Sequence, residues 1–417
     1  VGCHAGDRES YDDFKDFFYP VIEAYHKGFS MEVGSQLQGT AAERMDPARI
    51  GEALSGAAKS KIVSTRIRIA RNLSMFPLNP GGTKESRIAI TKMMQGVYDG
   101  LAGTELAGEF FLHTTMSDEQ RQALIDGHQL FRGKDKMQAA SGYHADWPHG
   151  RGVFHNPEKS FVNWVNEGDH IRIISMQAGG DVEAVFSRLA AGAKAIEDGV
   201  RKQTATEGEV FMMHPKFGAV TCCPSNIGTG MRGSVHILVP KLIAKIGFDA
   251  IDKMARERNC QARGSSGEHS AVVDRIDISN WRRIGFPEYE LVTDMIKCAN
   301  FLAGEEDKLP DEPPAEEVQL FGKKPGIDPD YDLIMEESLA KNEYPKAKIE
   351  AANAAEHTTL AAKFCTPEIW EKYKDAKSSG PAQWTMARAI NTGIMYPSSF
   401  VGCHAGDRES YDDFKDF

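Results

Sequence analysis

Residues 61–71 read KIVSTRIRIAR. In an extended strand successive side chains point to opposite faces. Ser64, Arg66 and Arg68 therefore fall on one face, and Val63, Thr65 and Ile67 on the other. Two further stretches repeat the arrangement. In HIRIISM, 170–176, His170, Arg172 and Ile174 share a face against Ile171 and Ile173. In MRGSVHILV, 231–239, Arg232, Ser234 and His236 do the same. A fourth arginine, Arg263, opens RGSSGEHS. A solvated arginine on a half-exposed strand explains any one of these, but it explains four sets flanked by apolar runs poorly. Guanidinium groups converging on one sheet face suit phosphate oxygens, which they bind in bidentate fashion.

Around these stretches, residues 58–303 read as strands mixed with helices. Lys61–Ala70, Phe161–Asn166, His170–Met176, Ala219–Cys222 and Ser234–Val239 are expected strands, and Val182–Val200 and Lys241–Arg258 expected amphipathic helices. Strands and helices do not alternate regularly, so the expected fold is a larger α/β domain on an antiparallel or mixed sheet. Residues 304–332 are rich in Pro and acidic residues and read as a linker. Beyond them, Thr366 is an expected N-cap with Pro367 at the first helical position. Ile369, Trp370 and Tyr373 follow at helical spacing, and a second helix, Ala382–Thr392, is expected to stop at Gly393. Residues 333–417 thus read as a small α domain.

Residues 1–17, VGCHAGDRESYDDFKDF, recur letter for letter as 401–417. Either the segment was duplicated artificially or the natural chain repeats with this period, and the second reading is preferred. Residue 1 then falls inside a folded element, a view that fits the lack of an initiator Met. Residues 1–45 would be the second part of a small α domain begun by a preceding repeat, and neighbouring identical repeats would be partners.

The chain is 417 residues long, 41% hydrophobic and 26% charged, which suits a soluble protein of two or three domains. A net charge of -11 argues against a general nucleic-acid binder. Local arginine clusters must then hold any anionic ligand. No apolar run reaches the ~18 residues of a membrane span, and no secretory signal pattern opens the sequence. The seven cysteines form no C-x-x-C pair and no zinc-like spacing, which favours a reduced, cytoplasmic setting.

GTGMRG at 228–233 fits G-x-G-x-x-G, but a strand-like SVHILV follows it where a dinucleotide fold needs a helix. No P-loop sequence is present. The glycines read instead as a tight loop bringing backbone close to a ligand. Cys223, before Pro224, is either a small buried apolar residue or a thiol poised beside a cationic substrate.

Taken together, STRIRIARN, GRGVFHNPEKSFVNWVN, NEGDHIRIISMQAGGD, CPSNIGTGMRGSVH and RGSSGEH resemble the phosphagen kinases, which include creatine, arginine and taurocyamine kinases. The resemblance covers essentially the whole chain once the repeat is unwrapped. It implies a small α domain plus a larger α/β domain with a mainly antiparallel sheet (the phosphagen kinase / glutamine synthetase-like catalytic domain). It further implies reversible transfer of the γ-phosphoryl group of ATP to a guanidino nitrogen, with ATP or ADP and Mg²⁺ as cofactors. Mg²⁺ would be held mainly by phosphates and water, with no metal ligands from the chain. Carried over by position, Ser64, Thr65, Arg66, Ile67 and Arg68 would line the nucleotide. Arg172, Arg232 and Arg263 would bind phosphates, and His155 and His236 would flank adenine and ribose. Gly233, Ser234, Val235, Gly264, Ser265, Ser266 and Gly267 would complete the nucleotide site. Cys223 would lie beside the guanidinium, with Val1, Gly2, Cys3 and His4 on the acceptor side. Glu268 would be the substrate carboxylate of arginine kinases and also touch the nucleotide site.

Seven residues separate Gly393 from Val401. That matches the short substrate loop of arginine kinases, so arginine is the expected acceptor, with taurocyamine or another guanidine the alternative. Departures are His4 at a usual Tyr, Phe400 at a usual Gly, and above all Gly168. The family reads N-E-E-D-H where this chain has Asn166-Glu167-Gly168-Asp169-His170. On a regular strand Glu167 and Asp169 would point away from Arg172, and a bulge at the glycine would swing Glu167 inward. Two readings follow. The repeats are working kinases, or they are weakened kinase-like modules of a filament or a cytoskeletal or ciliary assembly.

Overall fold

The computed structural model describes residues 3–34, 39–127, 129–133, 136–264, 275–310, 335–354, 359–377 and 385–395. They form two compact units, 1–322 and 323–417.

The first unit is built on an eight-stranded antiparallel sheet. Its strands are β1 (Ile62–Arg71), β2 (Glu109–Leu112), β3 (Gly152–His155), β4 (Phe161–Val165), β5 (Ile171–Ala178), β8 (Met231–Leu238), β9 (Cys260–Gly264) and β10 (Arg275–Asn280). Their spatial order is β2-β3-β4-β5-β1-β8-β10-β9. Between β5 and β8, β6 (Met213–His214) and β7 (Gly218–Ala219) make a separate two-stranded ribbon. The alternation read in KIVSTRIRIAR decides which face is which. Ile67 and Ile69 of β1, Ile171 and Ile173 of β5, Val235 and Ile237 of β8, and Ile276 and Ile278 of β10 enter the main core. The helices Val182–Thr204 and Glu288–Asp307 cover that face with Val185, Leu189, Leu291 and Met295. Fully burying one such aliphatic side chain is worth about 1.5–3 kcal/mol. A one-residue register slip would expose the whole set at once. On the opposite face a smaller cluster (Met116, Leu124, Phe131, Val153, Val162 and Ile174) covers the β3–β4 side. The β5-β1-β8 side keeps its polar residues.

Residues 3–31 belong to a third cluster, in which Tyr11, Phe18 and Ile22 pack with Phe217, Val220 and Ile227. The second unit is a helical cluster around Trp370, Ile349, Met386 and Ile390. There Thr366 caps the helix Pro367–Tyr373 as expected, accepting a hydrogen bond from Ile369 N at 3.3 Å.

Four expectations need correction. The last helix runs Met386–Met395 and passes through Gly393 instead of stopping there. The acidic run after residue 304 is helical to Asp307, because Glu306 accepts hydrogen bonds from Lys241 N and Leu242 N. The rest of the expected linker, 311–332, lies outside the described residues. The strand expected at Ala219–Cys222 ends at Ala219, since Cys222 N turns to donate to Asp169 Oδ1. Finally, 166–170 is a turn: β5 starts at Ile171, and Asn166 takes the left-handed conformation at φ 57°.

Three of the four histidines buried among the described residues carry large downward shifts and dominate their share of the acid response. Burial holds His26 and His170 at about 4 and His113 at about 3. In the unfolded chain each takes up a proton near pH 6.5. Below that value the unfolded state binds more protons, so stability falls with falling pH, by about 1.4 kcal/mol per displaced unit. The thermal midpoint should drop between about pH 7 and about pH 5. Neither ring nitrogen of His113 has a partner among the described residues. His113→Phe, seated among Phe131 and Trp147, should therefore flatten that drop, and a slope equal to wild type would refute this assignment.

Candidate active site

Register places the predicted arginines next to one another. Arg68 of β1 lies directly opposite Arg232 of β8 and, on its other side, opposite Ile174 of β5. Arg66 faces Ser234, and Arg172 faces Ala70, one diagonal step from Arg68. Ser64, His236, Asp277 and Arg263 form one continuous row across β1, β8, β10 and β9. Directly opposed and diagonal side chains are close enough to interact. Arg68, Arg172, Arg232, Gly230 and Asn226 line a common recess.

The electrostatics describe a cluster short of counter-charge. Burial and the neighbouring Arg232 and Arg172 push the Arg66 guanidinium down to about 10. Burial followed by Arg172, Arg232 and Arg66 pushes Arg68 well below the usual range for arginine. Arg66 lies over the Trp164 ring at 5.5 Å. Arg232 pairs with Asp277. Among the described residues the Nε atoms of Arg66 and Arg232 are buried with no hydrogen-bond partner. Unpaired buried donors among like charges fit a polyphosphate, which accepts many charge-assisted hydrogen bonds. Among the described residues no group of three or more His, Cys, Asp or Glu is placed to hold a metal.

The 166–170 turn supplies the acidic counterpart. Asn166 Nδ2 donates to Arg87 O at 3.1 Å and Gly150 O at 2.8 Å, which fixes the entry to the turn. Glu167 then swings inward. Its Oε2 lies 2.9 Å from Arg172 Nη1 and accepts from Gly168 N at 2.6 Å, while Oε1 accepts from Gln138 Nε2 at 2.8 Å. Burial disfavours the charged form of Arg172, yet Glu167 and Asp169 hold its guanidinium above the ordinary range. A Cβ at Gly168 would sit 2.9 Å from Arg172 Nη2, so the glycine leaves that space to the arginine. Asp169 meets Arg172 less closely, its Oδ2 3.9 Å from Arg172 Nη2. It is buried and accepts from Asn72 Nδ2 at 2.8 Å and Cys222 N at 2.9 Å. The regular-strand expectation for Glu167 is thus overturned, because the strand does not begin until Ile171.

The same turn ties in the cysteine segment, where Cys222 Sγ donates to Gly168 O at 3.1 Å. Burial pushes the Cys222 thiol well up. Cys223 is half-buried, with Sγ 3.0 Å from Ser225 Oγ. Ala5 N donates to Cys222 O at 2.8 Å, which brings the Cys3–His4 segment alongside. Burial and the nearby Cys223 raise the Cys3 thiol. His4 Nδ1 lies 2.5 Å from Ser141 Oγ, and its ring meets Tyr143 edge-on at 5.0 Å.

Other predicted residues are placed differently. Thr65, Ile67, Gly233, Val235 and Gly264 lie on the core face, where only their backbone borders the site. His155 shares the arginine face but stands three strands from Arg68, about 14 Å at normal strand spacing. Its Nδ1 donates to Asn156 O at 2.8 Å and its ring stacks on Phe111. Val1, Gly2, Ser265, Ser266, Gly267 and Glu268 lie outside the described residues. Arg283 was not foreseen. It is buried, donates to Asn226 Oδ1 at 2.5 Å, and is pushed down to about 10 by burial, with Arg232 and Arg263 adding to the effect and Tyr25 opposing it. Asp277 was also missed, although alternation in RIDISN puts it on a face with Ser279.

The sequence profile of ATP:guanido phosphotransferase, C-terminal catalytic domain, matches residues 89–309, and that of the N-terminal domain matches 355–417. Arginine kinase from Liolophura japonica is 41% identical over 300 residues, which is 71% of this chain and 80% of that protein. The chain belongs to the ATP:guanido phosphotransferase family. Arginine kinase from Anthopleura japonica is 35% identical over 99% of the chain, which spans only 51% of that protein. Among solved structures, lombricine kinase superposes with a TM-score of 0.67 at 34% identity, over 74% of this chain and 81% of that one. Further relatives are named taurocyamine kinase, from Schistosoma mansoni, and flagellar creatine kinase, from Strongylocentrotus purpuratus.

Because Arg68 sits among like charges, Arg68→Met should raise or leave unchanged the thermal midpoint of the free protein. The same variant should weaken ADP binding about 10- to 100-fold, the worth of one or two charge-assisted bonds. Calorimetric titration and thermal denaturation together check this; destabilisation with unchanged ADP affinity would contradict it.

Proposed function

We propose that the chain reversibly transfers the γ-phosphoryl group of ATP to a guanidino nitrogen of L-arginine, and so buffers ATP. The observation that carries this reading is the juxtaposition of an under-neutralised arginine cluster with an inward carboxylate, Glu167. Phosphoryl transfer needs little covalent help from the protein. It needs alignment of donor and acceptor and neutralisation of charge on the equatorial oxygens. Arg66, Arg68, Arg172, Arg232 and Arg263 take the phosphates. The P–O bond to ADP breaks, a P–N bond to the guanidine forms, and the guanidinium gives up a proton to the Glu167 carboxylate. Mg²⁺, held mainly by phosphates and water, adds charge neutralisation when bound.

For the acceptor side, Cys223, Cys3 and His4 lie close together, and Glu268 is the further carboxylate that the resemblance implies. Arginine is favoured by the seven-residue interval before Val401; relatives named for taurocyamine, lombricine and creatine mark the alternatives. The cytoplasm, extending to a cilium or flagellum, is the setting we infer. Six free cysteines among the described residues and the flagellar name of one relative support it. Among the described residues no helix is long and apolar enough to cross a membrane. The inward Glu167 favours a working enzyme over a purely structural module, because the site keeps a carboxylate despite Gly168.

Phosphoarginine formation followed by phosphorus NMR tests the reading. Wild type should turn over arginine faster than taurocyamine or creatine. Glu167→Gln should lower kcat by about 10²-fold or more, as for loss of a positioned acid/base group, with little change in KM for ATP. Gly168→Glu, which presses on the side-chain ends of Arg172 and Gln138, should raise kcat. Absence of turnover with every guanidine, alongside intact ADP binding, would leave only the structural module.

A further inference from the structure

Three contacts hold Glu167 in its inward position, and they load its two oxygens unequally. Oε2 is engaged twice, by the Arg172 guanidinium at 2.9 Å and by Gly168 N at 2.6 Å. Oε1 accepts from Gln138 Nε2 at 2.8 Å, its one hydrogen bond among the described residues. A carboxylate oxygen offers two lone pairs. Oε1 therefore keeps the capacity to accept from a further donor, while Oε2 is already satisfied.

Gln138 reaches this turn from a separate element, the short helix Lys136–Ala140. An ionised carboxylate only accepts, so the amide must point its NH₂ at Glu167 and its oxygen away. That oxygen meets His144 Nε2 at 3.3 Å, and the imidazole nitrogen supplies the proton of the bond. Both ends of the amide are committed, and its orientation is fixed. The backbone beneath it is held without help from the side chain. Gln138 O accepts from Tyr143 N at 3.0 Å, and Tyr143 O and Ala145 O accept from Arg151 Nη2 at 2.5 and 3.0 Å. Gly168 completes the fit, because a Cβ there would stand 3.3 Å from Gln138 Nε2. The side chain missing at 168 leaves the room that the amide uses.

We propose that Gln138 is a positioning residue for phosphotransfer, aiming Glu167 Oε1 at the acceptor guanidinium. In that step a guanidinium N–H bond breaks and an O–H bond to Oε1 forms. The inference rests on the phosphotransfer reading and adds to it which carboxylate oxygen takes the proton and what holds that oxygen in place. His144 acts one bond further out, by keeping the amide from turning over.

Steady-state kinetics of the full chain with arginine tests it. Gln138→Met keeps the length of the side chain and loses the donor. Gln138→Glu keeps its shape and puts an acceptor where the donor was. Each should lower kcat about 10-fold or more, the worth of one hydrogen bond to a charged group, with KM for ATP and circular dichroism unchanged. A side chain that only filled space would lose little in either variant. On a Glu167→Gln background Gln138→Met should cost no further kcat, since the base it positions is gone. An active wild type whose kcat survives Gln138→Met would overturn this inference alone. So would a Gln138→Met loss that recurs in full on the Glu167→Gln background. A wild type that turns over no guanidine would overturn the phosphotransfer reading and this inference with it.

Discussion

Positive charges that repel one another are held together here by a sheet that cannot let them move apart. Two unit charges about 5 Å apart repel by roughly 3 kcal/mol at an intermediate effective dielectric. Arg68 faces Arg232 and lies diagonal to Arg172, so the first unit carries several such terms. The sheet tolerates them because its other face is fixed by Ile67, Ile69, Ile173 and Val235 in the main core. Moving one arginine off the open face would carry an isoleucine or valine out of the interior. Burial on one side thus sustains electrostatic tension on the other, and the triphosphate we propose as ligand would relieve it.

The carboxylates present are placed to limit that tension without removing it. Asp277 takes Arg232 and Glu167 takes Arg172. Among the described residues no carboxylate pairs with Arg68. Glu167 reaches its position because 166–170 is a turn anchored from three sides: by Asn166 on Arg87 and Gly150, by Asp169 on Asn72 and Cys222, and by His170 on Leu73 and Pro77. Through Cys222 the same anchors set the place of Cys223 and of the Cys3–His4 segment. The arginine cluster and the Cys3–Cys223 segment, the proposed phosphate and acceptor sides, are thereby joined by one short turn.

Much of this was legible in the residues. Period-two alternation in 61–71, 170–176 and 231–239 was enough to put the arginines on one face, because a buried opposite face makes register unambiguous. Thr366 with Pro367 announced its helix. What alternation could not foretell was where a strand starts. The left-handed Asn166 delays β5 to Ile171, and that one local conformation reverses the direction of Glu167. Arg283 escaped notice because it lies on no strand; it approaches the cluster through Asn226, a contact set by tertiary packing. Likewise Gly393 suggested a helix end by its usual role, but Ile390 and Ile394 both pack into the second unit and carry the helix past it.

The most direct measurement is of the guanidinium groups themselves. Nitrogen-15 NMR of the arginine side chains during titration with ADP would follow Arg66, Arg68, Arg172 and Arg232 separately. The account predicts that all four Nε resonances shift together with one apparent Kd, and that adenosine, which lacks phosphate, leaves them where they were. Resonances that shift with different affinities, or that respond equally to adenosine, would contradict it.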